Sequence, residues 1–199
     1  MVDLVKNLAD CESQLEKCKE RLIFRCNDFN NNVAIRLFDP SVNDGDNFCF
    51  NNVKRAFKAL NVDIDAFMAN LIVKRFDSNF DNEMTYSDVT DIFKPTSIAL
   101  QREVERRTVF DERRPTAKSS KEKHMHEYIR DVLDQTIEAV SLAQKISLSL
   151  VKRPQYSIER ALFVLQKRGA SSVALDYYRS ILELHHIMIE TDDFQPSSA

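Results

Sequence analysis

A twelve-residue stretch of the sequence, Asp77–Asp88, places oxygen-bearing side chains at the spacing that a hard cation requires. Side-chain oxygens stand at its first, third, fifth, ninth and twelfth positions, and the backbone carbonyl of the seventh residue adds another. Calcium takes six to eight oxygen ligands at about 2.3–2.6 Å, and a loop with donors at these positions can gather them. The predicted metal ligands are Asp77, Asn79, Asp81, Glu83, Thr85 and Asp88.

Two residues of this loop depart from the strongest calcium-binding pattern. The sixth position is Asn82, where a left-handed turn favours glycine and asparagine is the best substitute. The twelfth is Asp88, whose side chain is shorter than that of glutamate and reaches less easily for bidentate coordination. We therefore expect one weak site for Ca²⁺ or Mg²⁺. The alternative is a loop that keeps its shape through internal hydrogen bonds and binds no cation.

The elements that must position this loop are helices, because apolar residues recur at helical spacing on both sides of it. A helix over 64–76 is predicted before the loop, and a short helix through Val89 and Phe93 is predicted after it, ending before Pro95. In this context the loop resembles those of the EF-hand (calmodulin-like) superfamily. The resemblance implies a helix–loop–helix unit that pairs with a second one.

A partner for this unit is predicted upstream, at Phe48, which stands 36 residues before Met84. That interval is similar to the spacing between paired loops in calmodulin-like lobes. The upstream loop has few charged donors and closes on Asn52, so we expect it to bind no cation. The resemblance covers about residues 28–95.

The rest of the chain also favours helices, since only 2 of the 199 residues are glycine and strand-rich folds need more of it for tight turns. We predict an all-α fold, in which an EF-hand pair is followed by long helices and a degenerate C-terminal EF-hand-like helix pair. The further helices are predicted at about 3–25, 28–38, from a cap at Asn51 or Asn52 to about 60, 97–112, 121–152, 157–168 and 173–190.

The predicted organisation has four parts. Residues 1–95 hold a leading helix and the EF-hand pair, and 96–153 hold a charged helix, a linker at 113–121 and a long helix. Residues 154–190 form the degenerate helix pair, in which Tyr156 aligns with Phe29. The last segment, 191–199, is expected to be a disordered tail.

Several function classes are not supported by the sequence. It contains no glycine-rich phosphate loop, no Gly-x-Ser-x-Gly and no His-Glu-x-x-His, so we expect no enzyme and no catalytic residues. A net charge of −3 argues against nucleic acid. No apolar run is long enough to span a membrane, and four cysteines without a Cys-x-x-Cys pair indicate reduced thiols in a cytoplasmic protein.

The order of elements is similar to EF-hand repeat proteins of ciliary and flagellar axonemes, some of which sit on doublet microtubules. This resemblance implies a structural protein whose partners are tubulin or other axonemal proteins. The mixed-charge segment 102–114 is expected to be a salt-bridged helix face, and it could also meet an acidic tubulin surface. The alternative function is a calmodulin-like calcium sensor that regulates a target protein.

Overall fold

The computed structural model describes residues 2–39, 47–111 and 122–153. Within these ranges the protein is helical, and its only β pairing is one isolated bridge. This confirms the all-α prediction for the described part of the chain. The seven helices are α1 Val2–Arg25, α2 Asn31–Phe38, α3 Phe50–Ala59, α4 Ala66–Phe76, α5 Tyr86–Asp91, α6 Ile98–Asp111 and α7 Glu122–Val151.

Side-chain caps fix where three of the short helices begin. The carboxamide of Asn30 accepts from the Val33 amide at the start of α2, and Asp65 accepts from the Met68 amide at the start of α4. Thr85 caps α5 in the same way. Each cap satisfies an amide that the first turn of a helix leaves without a partner.

The start of α3 differs from the prediction that Asn51 or Asn52 caps this helix. The N-cap is Cys49, which makes no side-chain cap, and both asparagines lie inside the first turn. The reason is the neighbouring β bridge, which holds Phe48 in extended backbone and lets the helix begin two residues later. The helix ends where predicted, at about residue 60, and Asn61 follows its C-cap with a left-handed φ of 59°.

One hydrophobic core joins α1 through α7. Five of its phenylalanines are almost completely buried, and edge-to-face ring pairs link neighbouring elements. Phe29, before α2, packs on Phe93 after α5 with ring centroids 5.6 Å apart. Long-range apolar contacts therefore hold the helices that flank the candidate loop.

The packing divides the chain into two compact units. One is Cys11–Ser141, which contains α2 to α6 and most of α1 and α7; the other comprises Met1–Asp10 and Leu142–Ala199. The four-part division predicted from the sequence stays a prediction. The linker at 113–121, the degenerate helix pair in 154–190 and the tail 191–199 fall wholly or almost wholly outside the described residues.

None of the helices in the described ranges combines the length and the apolar character that a membrane span would need.

Candidate metal-binding loop

The predicted loop lies between α4 and α5, and its first residue is the C-cap of α4. Asp77 is buried, with 6% of its surface exposed, and its carboxylate holds the turn together. Its Oδ1 accepts from the amide of Phe80 and its Oδ2 from the amide of Asn82, both at 2.7 Å. The side chain thus anchors a tight turn rather than extending into solvent.

The tip of the loop has two residues in left-handed backbone. Asn82 has a φ of 65°, as its asparagine side chain suggested, and Phe80 has a φ of 63°. The left-handed conformation is costly for a residue with a bulky side chain. The Phe80 ring is also 86% exposed, so no burial offsets this strain. The conformation of Phe80 was not predictable from its residue type.

A second carboxylate, Asp81, organises the middle of the loop. Its Oδ1 accepts from the amide of Glu83 at 2.9 Å, and its Oδ2 accepts from Nδ2 of Asn79 at 2.8 Å. The amide of Asp81 in turn donates to Oδ1 of Asn79. Asp81 uses two of the roughly four lone-pair sites that a carboxylate offers, as Asp77 does. Both side chains retain capacity for a further partner.

The closing carboxylate, Asp88, is only 1% exposed. Its Oδ2 accepts from both the amide and the hydroxyl of Thr85 at 2.8 Å, forming a reciprocal capping box at the start of α5. This carboxylate therefore holds the first turn of the helix.

The pKa of Asp88 depends on two opposing effects, its burial and its hydrogen bonds. Burial acts to raise it, but the hydrogen bonds from Thr85 and Ser78 outweigh burial and lower the pKa below its ordinary value. The carboxylate is therefore held ionised. The sequence missed the part played by Ser78, because a serine at the second position of such a loop is not a metal ligand.

The loop is joined to the segment before α3 by the antiparallel bridge between Phe48 and Met84. The Phe48 amide donates to the Met84 carbonyl at 2.7 Å, and the Met84 amide donates to the Phe48 carbonyl at 2.9 Å. Both side chains are buried, and the Phe48 ring contacts Phe38 and Tyr86 at centroid distances of 6.2 and 5.2 Å. Most of the predicted upstream loop falls within 40–46, which lie outside the described residues.

The structure therefore places the six predicted ligands along the loop and the first turn of α5, with most of their side-chain oxygens already accepting hydrogen bonds from donors within this segment. Within the described ranges, no three or more His, Cys, Asp or Glu side chains are grouped as a metal site would group them. Binding of Ca²⁺ or Mg²⁺ by these residues stays a prediction. The chain matches no protein family model, no curated protein and no solved structure in the comparisons made.

Proposed function

We propose that this chain is a non-enzymatic structural protein, built on an EF-hand-like pair of helix–loop–helix units, that binds protein partners of ciliary or flagellar doublet microtubules. The observation that carries the proposal is the pair of hydrogen bonds between Phe48 and Met84. An antiparallel contact between the eighth residues of two loops is what couples paired units into one lobe. α2 and α3 flank one side of this contact, and α4 and α5 flank the other.

The state of Asp88 favours a structural part over a calcium sensor. A sensor needs its closing carboxylate free to turn toward the cation, because that movement drives the opening of the lobe. Here Oδ2 of the carboxylate already accepts the amide and the hydroxyl of Thr85, two hydrogen bonds that hold the start of α5. Cation binding would have to replace them, which lowers affinity. We propose one weak site at most, centred on Asp77 and Asp81.

The link to axonemes rests on the order of elements described above, a resemblance without a diagnostic motif. α6 carries mixed charge, and its Arg106 and Arg107 side chains both donate to the Glu103 carboxylate. The Arg106 side chain is 69% exposed in that ion pair and is available to an acidic protein surface.

The experiment that tests this function is co-sedimentation of the purified chain with salt-washed axonemal doublet microtubules, in 1 mM calcium and in chelator. We expect saturable binding that is the same in both buffers and weakens with salt. Arg106→Ala should weaken this binding. The matched control is Lys58→Ala, which removes a basic residue on a different helix and should leave binding unchanged. Absence of binding to doublets would refute the axonemal assignment, and binding only in calcium would favour the sensor.

The cation site is tested separately by calorimetric titration with calcium and with magnesium. Asp77→Ala should abolish any binding that the wild type shows, while Asp63→Ala, an exposed acid between α3 and α4, should leave it unchanged. Binding that survives Asp77→Ala would place the cation elsewhere.

A further inference from the structure

The exposed face of α1 carries three cations in a row within the unit Cys11–Ser141, and we call them the basic stripe. Lys17, Arg21 and Arg25 stand four residues apart, so they lie above one another over about 12 Å of the helix. Within the part of the chain that the structure describes, none of these three side chains makes an ion pair or a hydrogen bond. The whole length of the stripe therefore faces solvent.

The basic stripe differs from the other charged helix faces of this protein, on which opposite charges pair. In α6, Arg107 bonds to Glu103 four residues earlier, and α7 has a pair at the same spacing. Like charges at this spacing repel and destabilise a helix. The stripe contains two such repulsive pairs in succession. The acids next to it in the sequence, Glu20 and Asp28, bond to none of its members in the described structure.

The C-terminal end of α1 does not need these cations, because another one already serves it. The Arg107 guanidinium donates to the backbone carbonyls of Ile23 and Cys26, both at 3.1 Å. Such carbonyls at the end of a helix lack partners within it and attract positive charge. That attraction falls off within the last turn, so it does not extend to Lys17. The stability of α1 therefore does not account for the stripe.

An aromatic ring lies on the same face as the basic stripe. Phe24 follows Arg21 by three residues and has 67% of its surface exposed, whereas the neighbouring Leu22 and Ile23 are fully buried. Aromatic and arginine side chains are the residues most enriched at the centres of protein–protein interfaces. This face of α1 therefore offers positive charge and apolar area together.

We propose that the basic stripe and Phe24 form a docking surface for an acidic polypeptide segment. Its carboxylates pair with the three cations, and one of its apolar side chains packs on the Phe24 ring. Arginine suits this partner, because the guanidinium can bond both oxygens of a carboxylate. The surface is distinct from the Arg106 contact proposed on α6. The inference rests on the proposed function only for the class of partner, a protein.

The charge of the protein favours a polypeptide over other polyanions. Non-specific binding of DNA relies on many phosphate contacts, commonly about 6–10, and three cations on a chain of net charge −3 supply too few. Recognition of anionic lipids is typical of clusters of about 4–8 basic residues. Carboxylates that stand a few residues apart in a polypeptide match the wider spacing of the stripe.

The test titrates the full wild-type chain into a fluorescein-labelled peptide of four Glu-Glu-Leu repeats, in chelator and low salt, and follows fluorescence anisotropy. We expect saturable binding that Arg21→Ala with Arg25→Ala weakens at least tenfold. The control, Lys58→Ala with Lys74→Ala, removes the same charge from exposed positions of α3 and α4 and should bind as the wild type does. Absence of saturable binding by the wild type, or equal weakening in both double variants, would overturn the proposal.

The apolar part of the contact has its own variant. Phe24→Ser should weaken binding of the Glu-Glu-Leu peptide at least threefold and leave binding of a Glu-Glu-Ser peptide unchanged. Phe67→Ser, which removes an exposed ring from α4, should change neither. If Phe24→Ser has the same effect on both peptides, the ring makes no apolar contact and is not part of the docking surface.

Two further measurements separate this proposal from a general anion site and from a structural role. Single-stranded DNA, or vesicles of phosphatidylserine and phosphatidylcholine in equal parts, should displace the labelled peptide far less well than unlabelled peptide does; equal displacement would overturn the proposal. Arg21→Ala removes both repulsive pairs, so its midpoint in urea should not fall below that of the wild type, and a fall would show that the cation serves the fold. Because no metal or microtubule is present, failure here is distinct from failure of the proposed function.

Discussion

Replacing Asp88 with alanine should destabilise the protein far more than its position in a six-residue helix suggests. The side chain is 1% exposed and accepts hydrogen bonds from the amide and the hydroxyl of Thr85. Loss of a helix cap costs about 1 kcal/mol, and a buried donor left without a partner costs about 1–3 kcal/mol. The Thr85 hydroxyl can rotate toward water but its amide cannot, so we expect a total loss of about 2–4 kcal/mol.

Urea denaturation followed by far-ultraviolet circular dichroism measures this loss at pH 7. The free energy of unfolding falls by about 1–3 kcal/mol for each molar of urea, so the midpoint of the transition should fall by roughly 1–2 M. The matched control is Asp91→Ala on the same helix, whose half-exposed carboxylate pairs with Lys94 at 3.4 Å and should contribute less than about 0.5 kcal/mol. Equal losses in the two variants would refute the assignment of Asp88 as the centre of the loop.

The difference in the free energy of unfolding between wild type and Asp88→Ala should depend on pH. Because the folded-state pKa of Asp88 lies below its ordinary value of 3.8, its stabilisation is present above that pH and is lost as the pH falls through the folded-state pKa. The difference between wild type and Asp88→Ala should therefore shrink below about pH 3.8. A difference that stays constant from pH 7 to pH 2 would contradict this cause of the lowered pKa.

Three further variants and one labelling experiment test other parts of the account. Phe48→Ala should lower the free energy of unfolding by about 3–5 kcal/mol in urea denaturation, because a buried ring at the β bridge is removed; a loss below 1 kcal/mol would argue against this packing. Arg107→Ala removes donors to the carbonyls of Ile23 and Cys26 and should cost about 1.5–3 kcal/mol in the same assay, whereas Arg106→Ala should cost almost nothing. Asp88→Asn should leave any calcium affinity measured by calorimetry almost unchanged, because the Asp88 carboxylate is committed to Thr85 and the proposed site is centred on Asp77 and Asp81; a large loss of affinity would mean that position 88 binds the cation. Burial raises the pKa of the Cys11 thiol to about 11 from 9.0, so alkylation at pH 8 should be about a hundredfold slower than for an ordinary thiol; equal rates would contradict its burial.

The helices were predictable because their signals are local. The apolar spacing of residues 3–25 predicts α1 to within one residue of its observed start, and proline at 95 marks the end of the α5 region. The left-handed backbone of Asn82 was also predictable, because loop position and residue type agree. Such features depend on a few neighbouring residues, which the sequence displays directly.

The hydrogen bonds that hold the loop and the neighbouring helices in place were not predictable in the same way. Asp88 was predicted as a metal ligand from its position, yet its hydrogen bonds to Ser78 depend on how the whole loop curves. The Arg107 contact with the Ile23 carbonyl joins residues 84 apart in sequence. Pairing across such distances is set by packing and leaves no periodic signal. The bridge from Phe48 to Met84 was an exception, because a known spacing between paired loops suggested it.

We propose that the chain is a structural protein and not a calcium sensor, with Asp88 holding the start of α5. The most direct test is the fluorescence of an apolar-surface dye, anilinonaphthalene sulfonate, across a calcium titration of the wild-type chain from nanomolar to millimolar. Calcium sensors respond at about 0.1–10 μM. We predict no change in dye fluorescence over that range. A rise that saturates there would show a lobe that opens on binding calcium, and it would contradict the account.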